Sequence, residues 1–293
     1  MIGIAKYSFE AGRASRSIED IASGLCTPEE IENMHAIGLS RAYTDNSRMI
    51  DDMIHSAFNK LCLEQMPGLI LVAHSLPFIK ANDSQIMTYA KDIPVLLVSG
   101  LPCVIMHRAV KLASDMVRAG TYRSVLVIGA DKAYSDRERI FFGTVMSDAA
   151  VALLISNECE EHCILASHVH TNIIAPYGEN SDDGDIKRFR AVNVQMMREA
   201  IRVCTEKAGL DEADYYVPHT SNSRFWDAVS ELCRTDRRRF LDGGIKLTGH
   251  MNSHDSFYHY ITLCNEGIIT KGKTAMLINP GFGGSQGCTL IRR

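Results

Sequence analysis

Four places in this chain combine residue types that could make or break covalent bonds. Cys103 closes the tract Ser99-Gly100-Leu101-Pro102-Cys103, and the stretch after it, VIMHRAVKLASDMVR, is apolar on one face. Pro102 suits the first position of a helix. Cys103 would then sit at a helix N-terminus, where unpaired amides and the dipole favour the nucleophilic thiolate. From position alone, a buried structural thiol is the competing reading. His219 follows a short strand in Tyr215-Tyr216-Val217-Pro218-His219. A histidine at the C-terminal end of a strand in an α/β protein points toward the usual ligand crevice; an ordinary loop histidine is the alternative. His250, Asn252, His254 and Asp255 crowd the segment GHMNSHDS. Asn, Ser and Asp also serve as helix caps and first-turn residues, so Asp255 could simply compensate the dipole. Two histidines and an aspartate raise the question of a metal, but no HExxH or comparable ligand motif occurs and none is expected. The tail NPGFGGSQG lies between two strands without P-loop spacing and with no helix after it, which argues against a nucleotide site. Its glycines would either form a tight turn or let a backbone amide approach a reacting carbonyl, as an oxyanion hole requires.

The elements that must position these residues alternate. Strands are predicted at Leu69–Ala73, Val95–Ser99, Ser124–Gly129, Ala150–Ser156, Tyr215–Val217, Thr274–Asn279 and Cys288–Arg292. Helices are predicted at Asp45–Gln65, Pro102–Ala119, Asn193–Ala208, Asn222–Leu232 and Ser253–Glu266. Strands separated by helices of this length imply an α/β architecture with parallel pairing. The polar stretch Tyr177–Lys187 reads as a surface loop joining two halves. The halves echo each other: Cys103 lies 17 residues before Gly120, and His250 lies 17 residues before Gly267. Each tract follows the order strand, turn, helix, strand. A duplicated unit would bring Cys103 and His250 to related points near one axis.

The bulk numbers narrow the function classes. At 293 residues and 46% hydrophobic content the chain can bury a large core. A net charge of −4 and a pI near 6.3 offer no basic field for nucleic acid. No apolar run is long enough for a membrane span, and the opening residues lack the pattern of a signal peptide, so a cytoplasmic location is expected. Nine cysteines, odd in number and irregular in spacing, argue against a disulfide framework or zinc site. His55, His74, His107 and His168 are scattered and read as structural.

Taken in order, several tracts resemble ketoacyl-ACP synthase III. PCVIMHRAVKLASDMVRAGTYRSVLVIGAD resembles the family's active-cysteine helix and following strand. FGTVMSDAAVALLIS is similar to its FGDGAGA strand, with Asp148 matching the Asp. AGLDEADYYVPHTSNSRF is similar to the segment carrying PHQAN. KLTGHMNSHDS stands where the family has GNTS, and GFGGSQGCTLIRR resembles its C-terminal glycine loop and last strand. The resemblance runs from about residue 40 to 293.

It implies a thiolase fold, five layers αβαβα built from two pseudo-repeated halves, here 1–165 with the nucleophile and 166–293 with the histidines. It further implies an acyltransferase that works by ping-pong transfer in fatty acid or polyketide biosynthesis. Cys103 takes the nucleophile position and His219 that of the first catalytic histidine. His250 stands where the family has Asn. The backbone amides of Cys103 and of Phe282 or Gly283 take the oxyanion-hole positions, and Asn222 and Arg224 those that contact the donor and its carrier. No cofactor is implied; the substrate would be an acyl-phosphopantetheine thioester on an acyl carrier protein or CoA. The implied assembly is a homodimer, or a heterodimer with a related subunit.

The departures matter. His in place of Asn gives either the Cys–His–His set of elongating ketosynthases or, with Asp255 five residues on, the pattern of relatives that acylate oxygen. The second product bond is thus C–C, C–O or C–N. The family's CoA-gripping Trp and Arg are absent from ENMHAIGLSRAYTDN, where Glu32, His35 and Ala36 lie, which favours a carrier protein as donor. The odd motif set suggests specialised biosynthesis. A non-catalytic partner subunit is the alternative function, although such subunits usually lack the cysteine that this chain keeps.

Overall fold

The computed structural model describes residues 1–75, 90, 92–101 and 103–293. Pro102 lies outside them. Thirteen strands are described: β1 (Gly3–Ala11), β2 (Ala14–Ser17), β3 (Arg41–Thr44), β4 (Leu69–Ala73), β5 (Val95–Val98), β6 (Ser124–Asp131), β7 (Ile140–Phe141), β8 (Thr144–Val145), β9 (Ala149–Ser156), β10 (Cys163–Thr171), β11 (Tyr215–Pro218), β12 (Thr274–Gly281) and β13 (Ser285–Arg292). The α-helices are α1 (Ile18–Ala22), α2 (Pro28–Ala36), α3 (Ile50–Lys60), α4 (Ile105–Arg118), α5 (Asp136–Arg139), α6 (Asp183–Ala208), α7 (Ser223–Cys233), α8 (Ile245–Thr248) and α9 (Asp255–Asn265).

The strand order repeats. In β4-β6-β9-β1 the first pair is parallel and the next two antiparallel, and β11-β12-β13-β10 has the same pattern. The first set carries one further strand, β5, parallel to β4 at the outer edge. The two sets are joined edge to edge by the single registered pair Gly3↔Cys163, so hydrogen bonding runs through one nine-stranded sheet rather than two separate ones. The chain crosses between the sets after β9, not at Tyr177–Lys187. The latter half of that predicted loop is the first turn of α6, capped by Asp182, whose side chain accepts from the Asp185 amide.

Alternation of side chains along each strand sorts the core into layers. On one outer face Ile70, Val72, Leu126 and Ile128 pack under Met53 and Ile54 of α3. The opposite faces of both strand sets, with Leu71, Val127, Val217 and Leu277, enclose α4 and α9 through Met106, Ala109, Val110, Phe257 and Ile261. On the far outer face Met276, Ile278 and Leu290 lie under Met197 and Ile201 of α6 and Trp226 of α7. This is the αβαβα thiolase arrangement. Each large apolar side chain buried there contributes roughly 1.5–3 kcal/mol. The central pair α4 and α9 therefore cannot shift without disturbing both strand sets, which makes their N-terminal ends a rigid place for a site.

Candidate active site

Cys103 sits at the turn between β5 and α4, two residues before the helix, with the left-handed φ of 63°. Such a conformation is costly for a residue with a Cβ and persists where the surroundings impose it. His219 directly follows β11; its amide donates to the Ile278 carbonyl, and Trp226 Nε1 donates to its own carbonyl at 2.9 Å. His250 lies farther from its helix than Cys103 does: a 3₁₀ turn, Asn252–His254, intervenes before α9. Both central helices nonetheless end at a left-handed glycine, Gly120 (φ 70°) and Gly267 (φ 74°).

These elements bring the three side chains together. Cys103 Sγ is 4.0 Å from His250 Nε2, and the His219 and His250 rings are edge to face with centroids 4.2 Å apart. Cys103 Sγ and one nitrogen of each ring lie within 4.8 Å of one another. They line a cavity of about 430 Å³ walled by Phe141, Phe142, Phe225 and Phe282. Such a trio has the ligand types of a soft-metal site. A metal there would occupy the lone pairs that nucleophile and base need.

Asp255 organises the set. Fully buried, it accepts from His250 Nδ1 at 3.1 Å, from the Thr220 amide at 2.9 Å and from the Met251 amide at 3.3 Å. Thr220 Oγ1 lies 2.6 and 2.7 Å from its two oxygens, and His259 Nε2 is 3.2 Å from Oδ1. Burial alone would raise its pKa, but the donors hold it well below the usual carboxylate range. The ionised carboxylate therefore accepts a hydrogen bond from His250 Nδ1–H, which fixes that tautomer, and Nε2 presents a lone pair to the sulfur. His219 differs: Nδ1 pairs with Ser221 Oγ at 2.9 Å, while buried Nε2 has no hydrogen-bond partner among the described residues. Burial and the neighbouring histidines keep its pKa well below the ordinary value, so the ring is neutral.

The thiol reverses the expectation drawn from a helix N-terminus. Burial, with Asp131 and Asp255 nearby, pushes Cys103 up to about 12, and the Phe282 amide directed at the sulfur opposes this only in part. Cys103 rests as a thiol. Phe282 is thus the glycine-loop residue whose amide faces the sulfur.

Asn222 caps α7, accepting from the Phe225 amide at 3.3 Å, and also lines the cavity. Arg224 is exposed outside the cavity lining. His254 is buried 3.7 Å from Asp131, away from the cavity, with its pKa lowered to about 4 by burial. Asp148 anchors a buried ion pair with Arg139 at 2.8 Å and takes no part in the trio. Sequence reasoning missed Thr220 and His259 as partners of Asp255. His259 stands four residues after Asp255, one helical turn, and that spacing was the available signal. Thr220 is brought in only by the fold.

The family models decide the ancestry. The model for 3-oxoacyl-[acyl-carrier-protein (ACP)] synthase III matches residues 102–172, and the model for its C-terminal part matches residues 205–293. The chain belongs to this family. The β-ketoacyl-[acyl-carrier-protein] synthase III of Acholeplasma laidlawii is 28% identical over 191 residues, covering 60% of this chain and 57% of that relative's length. Among solved structures, the synthase III of Aquifex aeolicus superposes with a TM-score of 0.83 at 20% identity, with all of both chains covered. The acyltransferase ChlB3 has the same TM-score, 0.83, at 17% identity over 99% of this chain and 97% of its own. At these identities the structures attest the thiolase fold.

Proposed function

We propose that this synthase III family member is a ping-pong acyltransferase whose nucleophile is Cys103 and whose base is His250, oriented by Asp255. The observation that carries this reading is the file Asp255 Oδ2–His250 Nδ1 (3.1 Å) and His250 Nε2–Cys103 Sγ (4.0 Å). In the first half-reaction the thiol proton passes to His250 Nε2 as sulfur attacks an acyl thioester. The amides of Cys103 and Phe282 hold the oxyanion. The pantetheine thiolate leaves with the proton from His250. In the second, His250 takes the proton of a hydroxyl or amine as its oxygen or nitrogen attacks the acyl-cysteine, then returns it to the departing Cys103 sulfur. A C–O or C–N bond is favoured over condensation because His250 faces the reaction with a lone pair. Enolate stabilisation after decarboxylation calls for neutral donors, and of the two rings only His219 has an Nε2 free to offer one.

The half 1–165 would supply the nucleophile and the half 166–293 both imidazoles. An acyl carrier protein is the proposed donor, with Asn222 and Arg224 at its approach, and specialised biosynthesis the proposed setting. A dimer is supported by β5, an outermost strand whose Leu96 and Leu97 are 48% and 44% exposed, a combination that invites pairing with another chain. Whole-protein mass spectrometry after incubation with acyl carrier proteins is the test. A mass increase on Cys103 that decays on adding alcohols or amines supports the reading. If no thioester loads the cysteine, the non-catalytic partner subunit takes its place.

A further inference from the structure

Asn279, on β12 three residues before Phe282, is used by none of the chemistry above. It is fully buried. Its Nδ2 donates to the Cys103 carbonyl at 2.8 Å and lies 3.4 and 3.3 Å from the carbonyls of Asn252 and Ser253. Its Oδ1 accepts from Ser256 Oγ at 2.5 Å and from His107 Nε2 at 3.0 Å. Three carbonyls on one side can only accept, so the amide has one orientation there. His107 is held neutral by burial, with its pKa down to about 4; its Nε2 proton serves Asn279, and Nδ1 accepts from Thr289 Oγ1 at 2.9 Å. A buried file of hydrogen bonds thus runs from β13 through α4 to the Asn279 amide and ends on the nucleophile's own carbonyl.

Two of the three carbonyls belong to residues with left-handed backbones, Cys103 (φ 63°) and Asn252 (φ 52°). Non-glycine residues stay there only under constraint from outside. The three carbonyls also divide between the two halves of the repeat: that of Cys103 beside the sulfur, those of Asn252 and Ser253 just after His250. We propose that Asn279 is a positioning residue that clamps these two strained turns to each other, fixing Cys103 Sγ between the Phe282 amide and His250 Nε2.

The catalytic consequence rests on the acyl-transfer reading; the backbone consequence does not, and each has its own arm. Glycine adopts the left-handed backbone freely, so in Cys103→Gly the clamp has less to hold. Asn279→Ala should then lower Tm by at least about 2 °C more in the wild-type background than in Cys103→Gly, a difference resolvable for a chain of this size. Equal losses in both backgrounds overturn the clamp. If Asn279→Ala does not fold, Ser256→Ala, which removes an anchor of the Asn279 Oδ1, is run in the same two backgrounds with the same direction expected. In the kinetic arm, acylation of Cys103 by an acetyl-loaded acyl carrier protein in Asn279→Ala should slow by roughly 100-fold, the scale of an ångström's misplacement, with KM for the donor within about threefold. An unchanged acylation rate, or a loss confined to KM, overturns the positioning role. If the wild-type protein is never acylated, the acyl-transfer reading falls while the Tm comparison still decides the clamp.

Discussion

A thiol pushed up to about 12 and an imidazole lone pair 4.0 Å away form a pair that reacts only when a substrate makes the proton move. Cys103 should therefore be slow toward simple alkylation. Iodoacetamide at pH 7 is expected to modify exposed Cys62 well before Cys103, as read by peptide mass spectrometry; first labelling at Cys103 would show that the helix amides outweigh burial. Asp255→Asn keeps the shape but no longer fixes the His250 tautomer. Single-turnover mass spectrometry should find both acyl loading and acyl transfer slowed by roughly 100-fold or more, and Cys103→Ala should not load at all. An Asp255→Asn enzyme as fast as wild type would reduce Asp255 to a helix-start residue. Cys103, His219, His250 and Asp255 were legible because their local tracts are distinctive. Thr220 and Asn279 were not: Thr220 reaches a residue 35 positions away and Asn279 one 176 positions away, and both look like ordinary turn or strand residues.

Helices and strands are most legible in the sequence where burial on both faces leaves an unbroken apolar run, as at β4, or where a helix has one clear apolar face, as at α4. β1 went unread because GIAKYSFEA mixes charged and apolar residues, and β10 because CILASHVHT carries two histidines; both gain their pairing from long-range partners. α6 begins ten residues earlier than predicted, since its first turns are polar and exposed. How closely elements approach is also hidden in sequence. Gly287 on β13 is where His107 of α4 presses on the sheet, and a Cβ there would lie 2.6 Å from the ring. Gly287→Ala should cost about 1–3 kcal/mol in urea unfolding, with acylation impaired because His107 leads to Asn279. At the β5 edge of the sheet, Leu96→Lys with Leu97→Lys should shift the protein toward monomer in light scattering; an unchanged mass would place the interface away from β5.

Across the whole molecule, several histidines are kept neutral by burial. His107 and His254 are lowered to about 4 and His219 well below its ordinary value, whereas unfolded histidines titrate near 6.5. The unfolded chain thus binds more protons between these limits. Each group's contribution is present above about pH 6.5 and is lost as pH falls toward 4, at roughly 1.4 kcal/mol per unit. Urea titrations should show unfolding free energy falling between pH 7 and 5 by more than one histidine can account for; a flat profile would mean these rings are protonated when folded.

The pairing of β1 along the whole of β9 has a temporal side. β1 leaves the ribosome long before β9, which begins only at Ala149. At about 5–20 residues per second, the wait is on the order of 10 s. For that interval both edges of β1 stay open, the one that later takes β9 and the one that later meets β10 through Gly3↔Cys163. A newborn chain of this kind has reason to depend on chaperones until β9 appears.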